Sequence, residues 1–349
     1  MKKVLVTICA MAAVLACTKT EVVFDEPNEI AFSPVSKFET KAAVTGAAYS
    51  ANLNFYAWAY TAETTPVAYF SEVLFEPESD QTEAPTGLTS YTGSTPQYWP
   101  NEKALKFAGV TKSGNVAAGT VEMSDATTIT VTGYDQPLPN ETGTNNDLLW
   151  FFDDNSDAGY TKPAADAESV HVQPTMKHAC SWIVVNVAIA DDLVNYWTNV
   201  KVNSINFESL YTTGNVNLTE GSASWSNQGS LERNIVVYEG TSDNVINATA
   251  KEFKAANDAI VIPQTPTTLA VNITYTTPAG GEVTETIDAI SLDYDGTEGN
   301  TAWAPGTKYT YTLTIGADEI KIAPKSEDWA AYDADTSKDG VQNIEQDVQ

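Results

Sequence analysis

The clearest periodicity in the chain lies near its end, where Tyr309, Tyr311, Leu313 and Ile315 alternate with threonines. That is the period of a strand with one buried face. Ile183, Val185, Val187 and Ile189 repeat the pattern within a run predicted as fresh strands over 171–189. Residues 52–60 are aromatic on both parities (Phe55, Tyr56, Trp58, Tyr60), which predicts a strand placed deep in the fold. Further strand signals cover 126–134, where Ile129 and Val131 sit between threonines, and 147–152, 202–207, 234–238, 259–262 and 269–275. Residues 61–100 predict short strands joined by loops, and Pro/Gly/Asp clusters separate the later runs at strand-like spacing. Helical periodicity is confined to a turn or two over 193–199. The pattern predicts an all-β protein of two β-sandwich domains in tandem. The polar, aperiodic loop 153–166 is the best boundary, giving domains 46–166 and 167–329.

Ahead of the first domain, Ile30, Phe32 and Phe38 all fall on even positions, so an extended chain presents them on one face. Pro34 removes a backbone donor in the middle, which suits an edge strand. Lys41 then precedes Ala42, Ala43, Gly46, Ala47 and Ala48, the composition of an exposed connection open to proteases. An apolar edge strand with a basic, cuttable hinge behind it is the result.

Composition adds limits. With 349 residues, 42% hydrophobic and 18% charged, the chain has room for about two domains with real cores. A formal charge of -28 and a pI near 4.1 exclude nucleic acid and anionic membrane surfaces as partners. Lys2 and Lys3 followed by an apolar run over 4–16 predict a secretory signal peptide (residues 1–16), too short to span a bilayer. The run ends Val14-Leu15-Ala16-Cys17, which resembles a bacterial lipobox. That resemblance implies a lipidated Cys17 as first residue of the mature chain, anchored in the outer membrane through its acyl groups. After removal of Cys9 and lipidation of Cys17, Cys180 is left as one free thiol, read as a small core residue.

Catalytic and metal chemistry have little to stand on. His171 and His178 lie without a cysteine pair that would suggest zinc, and both read as structural histidines. No Gly-x-Ser-x-Gly elbow, P-loop or dinucleotide fingerprint is present. Two oxygen-rich stretches imitate Ca²⁺ loops and fail in detail. Asp335–Gly340 has Gln346 where a bidentate Glu is needed, and Asp153, Asn155 and Asp157 have Ala158 at the glycine position. The reading is therefore no enzyme, no cofactor and no metal. The many Trp and Tyr residues leave a glycan-binding surface lipoprotein or a tip adhesin as the alternative, although their strand patterns point to core packing.

Several segments, in order, resemble one family. They include Glu29-Ile30-Ala31-Phe32 with Glu39-Thr40-Lys41-Ala42, Phe55-Tyr56-Ala57-Trp58, Tyr98-Trp99-Pro100, Lys177-His178-Ala179 and Val261-Ile262-Pro263-Gln264. The longest runs Trp303-Ala304-Pro305-Gly306-Thr307-Lys308-Tyr309-Thr310-Tyr311. This is similar to the fimbrillin lipoproteins of the Bacteroidales, type V pilin-like subunits. The resemblance implies two transthyretin-like β-sandwich domains and a lipidated precursor (palmitate among its acyl groups) on the outer membrane and in the fimbrium. It also implies a trypsin-like protease that cuts after the first strand, and a strand from another fimbrial subunit that refills the groove. Carried onto this chain, the lipid is on Cys17, within a segment 17–45 that ends in the hinge. The cut falls between Lys41 and Ala42, and the leaving strand holds Ile30, Phe32 and Phe38. Lysine stands where arginine is more usual. The donor is the acidic tail 330–349, whose large aliphatic residues Val341, Ile344 and Val348 do not share one parity.

Overall fold

The computed structural model describes residues 28–36, 54–78, 88–112, 121–140, 147–164, 171–197, 199–226, 228–229, 232–240, 244–255, 257–264, 270–276, 279–287, 302–317 and 320–328. Among them there are strands and turns and no helix. Of the segment 193–199, expected to manage a turn or two, residues 193–196 belong to a run of turns over 191–196.

The first strands are β1 (Ala31–Phe32), β2 (Val35–Ser36), β3 (Phe55–Thr61), β4 (Ala68–Pro77) and β5 (Tyr91–Gly93). They are followed by β6 (Leu105–Thr111), β7 (Val121–Asp125), β8 (Thr128–Asp135), β9 (Leu149–Asp153) and β10 (Thr175–His178). Next come β11 (Ser181–Ile189), β12 (Lys201–Tyr211), β13 (Thr213–Leu218), β14 (Ala223–Ser226) and β15 (Glu232–Glu239). The last are β16 (Lys251–Phe253), β17 (Ala259–Val261), β18 (Ala270–Thr276), β19 (Glu282–Ile287), β20 (Thr307–Ile315) and β21 (Ile320–Asp328).

Four sheets result. Sheet A runs β1-β5-β4-β3-β6-β9-β10-β2, sheet B runs β16-β11-β20-β21 with β17 also on β11, sheet C runs β15-β12-β18-β19, and sheet D runs β14-β13-β8-β7. Pairing is antiparallel except for β2 on β10 and β11 on β20. Strands from both sides of residue 166 share sheets A and D, through β10 on β9 and β13 on β8.

Alternation explains how these sheets stack. On β3 the odd residues Phe55, Ala57 and Ala59 enter one core, and the even residues Tyr56, Trp58 and Tyr60 enter a second. On β11 Trp182 and Val184 join that second core, whereas Ile183, Val185, Val187 and Ile189 enter a third. A strand that is apolar on both faces is therefore a wall shared by two cores. The first core lies on one face of sheet A. The second joins the opposite face of sheet A to Ile129, Val131, Val216 and Leu218 of sheet D and to sheet B. The third lies between sheets B and C, where Tyr309, Tyr311 and Leu313 meet Ile205, Phe207 and Val237.

Candidate functional site

The first core is built around the segment that precedes β3. Residues 28–36 are hydrogen-bonded on both sides. Towards β5, Trp99 N–H donates to Asn28 O, Ile30 N–H donates to Gln97 O, and Ala31 and Phe32 pair with Thr92 and Tyr91. On the other side Val172 N–H donates to Ala31 O, Ser33 N–H to Val172 O, and Val35 N–H to Pro174 O. Because β1 and β2 terminate opposite ends of the sheet A order yet are joined by only Ser33 and Pro34, this segment closes the sheet on itself. That corrects the edge-strand expectation. Alternate backbone N–H groups point to alternate sides, so Pro34 faces the same side as Phe32 but lies past its last partner there. Its missing donor costs no bond, and the proline sits between β1 and β2 in a segment paired on both flanks.

Ile30 and Phe32 have 0% exposure. The Phe32 ring lies 4.7 Å from Phe75, 5.3 Å from Phe107, 5.6 Å from Phe55 and 5.9 Å from Phe151, mostly edge-to-face. Those rings come from β3, β4, β6 and β9, so the groove is assembled from four strands. Gly109 is part of its making. A Cβ there would stand 2.3 Å from the Phe151 ring, so only glycine lets that ring lie against β6. Ser33 Oγ and His171 Nδ1, both buried, are 2.7 Å apart and tie the segment to the stretch before β10. At its start, burial and the nearby Glu78 push the Glu29 carboxyl above the usual glutamate range.

The other singled-out residues fall as follows. Phe38, Lys41, Ala42, Cys17, Val341, Ile344, Val348 and the stretch 335–340 lie outside the described residues. Both histidines are buried in side-chain contacts, His178 Nδ1 lying 2.6 Å from Asp147 Oδ2. Cys180 is fully buried, and that burial, with Asp147 close by, raises its thiol far above the ordinary cysteine range. In the 153–157 loop the place of a cation is taken by an ammonium. Lys106 Nζ lies 3.1 Å from Asp157 Oδ1 and 3.5 Å from Asp154 Oδ2. The loop itself is closed by Gly159 N–H donating to Asp154 O and Asn155 Nδ2 donating to Gly159 O. Trp58, Trp150 and Trp182 are buried in cores, as their strand patterns indicated, and Trp99 and Trp303 are buried in cores from positions outside the strands.

The stacked sheets define an all-β sandwich protein, with residues 28–36 packed into one of its cores. Comparison with known proteins narrows the class. Residues 40–329 match the model of the fimbrillin-like family, and the chain belongs to that family. A fimbrial protein from Bacteroides vulgatus shares the fold, with TM-score 0.53, 16% identity, and coverage of 86% of this chain and 100% of that one. The tip fimbrial protein Mfa3 from Porphyromonas gingivalis, C-terminally truncated, matches with TM-score 0.43 and 11% identity over 86% of this chain and 99% of that one. A fimbrial assembly protein from Parabacteroides distasonis matches with TM-score 0.41 and 10% identity over 85% and 95%. No curated protein sequence matches the chain. Membership of the fimbrillin-like family supports a fimbrial subunit role at the cell surface, in assembly with other fimbrial subunits.

Proposed function

We propose that this chain is a pilin exported as a lipoprotein through Cys17 and activated by removal of its first strand. A trypsin-like protease cuts between Lys41 and Ala42, and the segment carrying Ile30, Phe32 and Phe38 leaves. A strand from a neighbouring subunit, donated by its tail around Val341, Ile344 and Val348, then enters the groove. The observation that carries this reading is the two-sided pairing of residues 28–36 around a fully buried Phe32.

The magnitudes agree with strand exchange. Burying a large apolar side chain contributes roughly 1.5–3 kcal/mol, so Ile30 and Phe32 together contribute roughly 3–6 kcal/mol. Domains are stable by only about 5–15 kcal/mol, so an emptied groove is a serious loss. A strand inserted from outside restores main-chain bonds and side-chain pockets together. The covalent link to β3 holds the segment in place until it is cut, and after the cut the segment competes with donors as a separate molecule.

The test is to treat the purified precursor lacking residues 1–16 with a lysine-specific protease, sequence the new N-terminus and image the product. Ala42 as the first residue, together with filaments, is the expected result. Complete cleavage at Lys41 with monomers only would overturn strand exchange.

A further inference from the structure

A cleft of about 220 Å³ opens at one end of the second core, between sheets A and D. Its origin is local. Ala108 pairs with Phe152, and the small side chain at this end of the core leaves space that larger residues fill further in. Met123 and the β7–β8 turn residue Ala126 form the opposite wall. Tyr60 Oη, donating to Met123 O at 3.1 Å, ties the two sheets together beside the opening.

The rim carries Asp153, Asp154, Asp157 and Glu220 against the Lys106 ammonium, with the Lys177 ammonium donating to the Glu220 backbone carbonyl behind it. The volume is below the roughly 300–1,000 Å³ of small-molecule pockets, and suits one side chain better than a whole cofactor. Lys106 already shows what this rim holds: its ammonium ends among the carboxylates of Asp154 and Asp157. The remaining charge is still negative, so a second cation beside an apolar group is what the cleft complements. We propose that it is a docking site for an extended segment of a partner polypeptide, taking one apolar side chain flanked by Lys or Arg. The apolar side chain enters against Ala108, Phe152 and Met123, and the flanking cations face Glu220 and Asp153.

The experiment uses the full chain and a fluorescein-labelled peptide, Gly-Gly-Lys-Phe-Lys-Gly-Gly, followed by anisotropy. Saturable binding is expected, about tenfold weaker when Gly replaces Phe or when Glu replaces both Lys. Ala126→Trp plugs the wall and lowers affinity by at least about tenfold. Glu220→Gln removes one exposed rim charge and lowers it by about two- to threefold. Should Ala126→Trp fail to fold by circular dichroism, Glu220→Gln carries the test alone. Absence of saturable binding, equal binding of the Gly peptide, or unchanged affinity in the folded variants would overturn the assignment.

Discussion

Phe32→Ala is the sharpest test of how the N-terminal segment is held. Phe32 is fully buried among four phenylalanine rings at 4.7–5.9 Å, and those rings sit on separate strands of one sheet. A space opened at their centre cannot collapse without moving several strands. Phe→Ala at such a site costs about 3–5 kcal/mol. In the intact chain this appears as a urea-unfolding loss of that size, measured by tryptophan fluorescence. In chain cut after Lys41 the same energy acts on release of the segment, and weakens retention by about two to three and a half orders of magnitude. The assay is gel filtration of the cut protein with mass spectrometry of the late-eluting peptide. At protein concentrations too dilute for donor strands to compete, wild type retains the segment and Phe32→Ala sheds it. A loss of stability under about 1 kcal/mol, with equal retention in both proteins, would show that the segment is a bystander and refute the groove argument.

Other consequences follow from the same geometry. Because the Glu29 carboxyl is raised in the folded protein by burial and Glu78, its ionisation opposes folding. Stability should fall as pH climbs from the ordinary glutamate range through the raised value, and Glu29→Gln should flatten that slope and stabilise the protein at pH 7 in pH-resolved urea titrations. Gly109→Ala drives a Cβ to within 2.3 Å of the Phe151 ring, and should cost about 1–3 kcal/mol in the same unfolding assay. Cys180 should resist maleimide at pH 8 in native protein and react fully in urea, since its thiol is buried and held protonated. Rapid native labelling would contradict that packing.

What could be read in the sequence, and what could not, follows from how far apart the interacting residues lie. β20 was legible because Tyr309, Tyr311, Leu313 and Ile315 are buried while the threonines between them are only half-buried, so local alternation reports one face directly. The depth of β3 was legible too, though its cause was not. Aromatics on both parities mean two cores, and naming the second requires knowing that sheets D and B pack behind sheet A. β4 hid behind a bulge: Glu72 has a φ of 51°, which breaks the alternation between Phe70 and Phe75 within a ten-residue strand. β13 hid behind composition, since its Gly214, Asn215 and Asn217 are residues that strands disfavour, and its partner β8 lies in the other half of the chain.

The groove illustrates the same limit more sharply. Ile30 and Phe32 were found from parity alone, but Phe55, Phe75, Phe107 and Phe151 belong to four separate strands and no local pattern joins them. Pro34 pointed towards an edge because a proline lacks one bond, and a strand can lose that bond on one side while staying paired on the other. That distinction has a functional consequence. An edge strand leaves one row of bonds behind when it departs, whereas a strand flanked on both sides leaves two, facing each other across an aromatic trench. A replacement strand then gains both rows and the trench at once. The two-sided groove therefore favours exchange over simple loss more strongly than an edge position would.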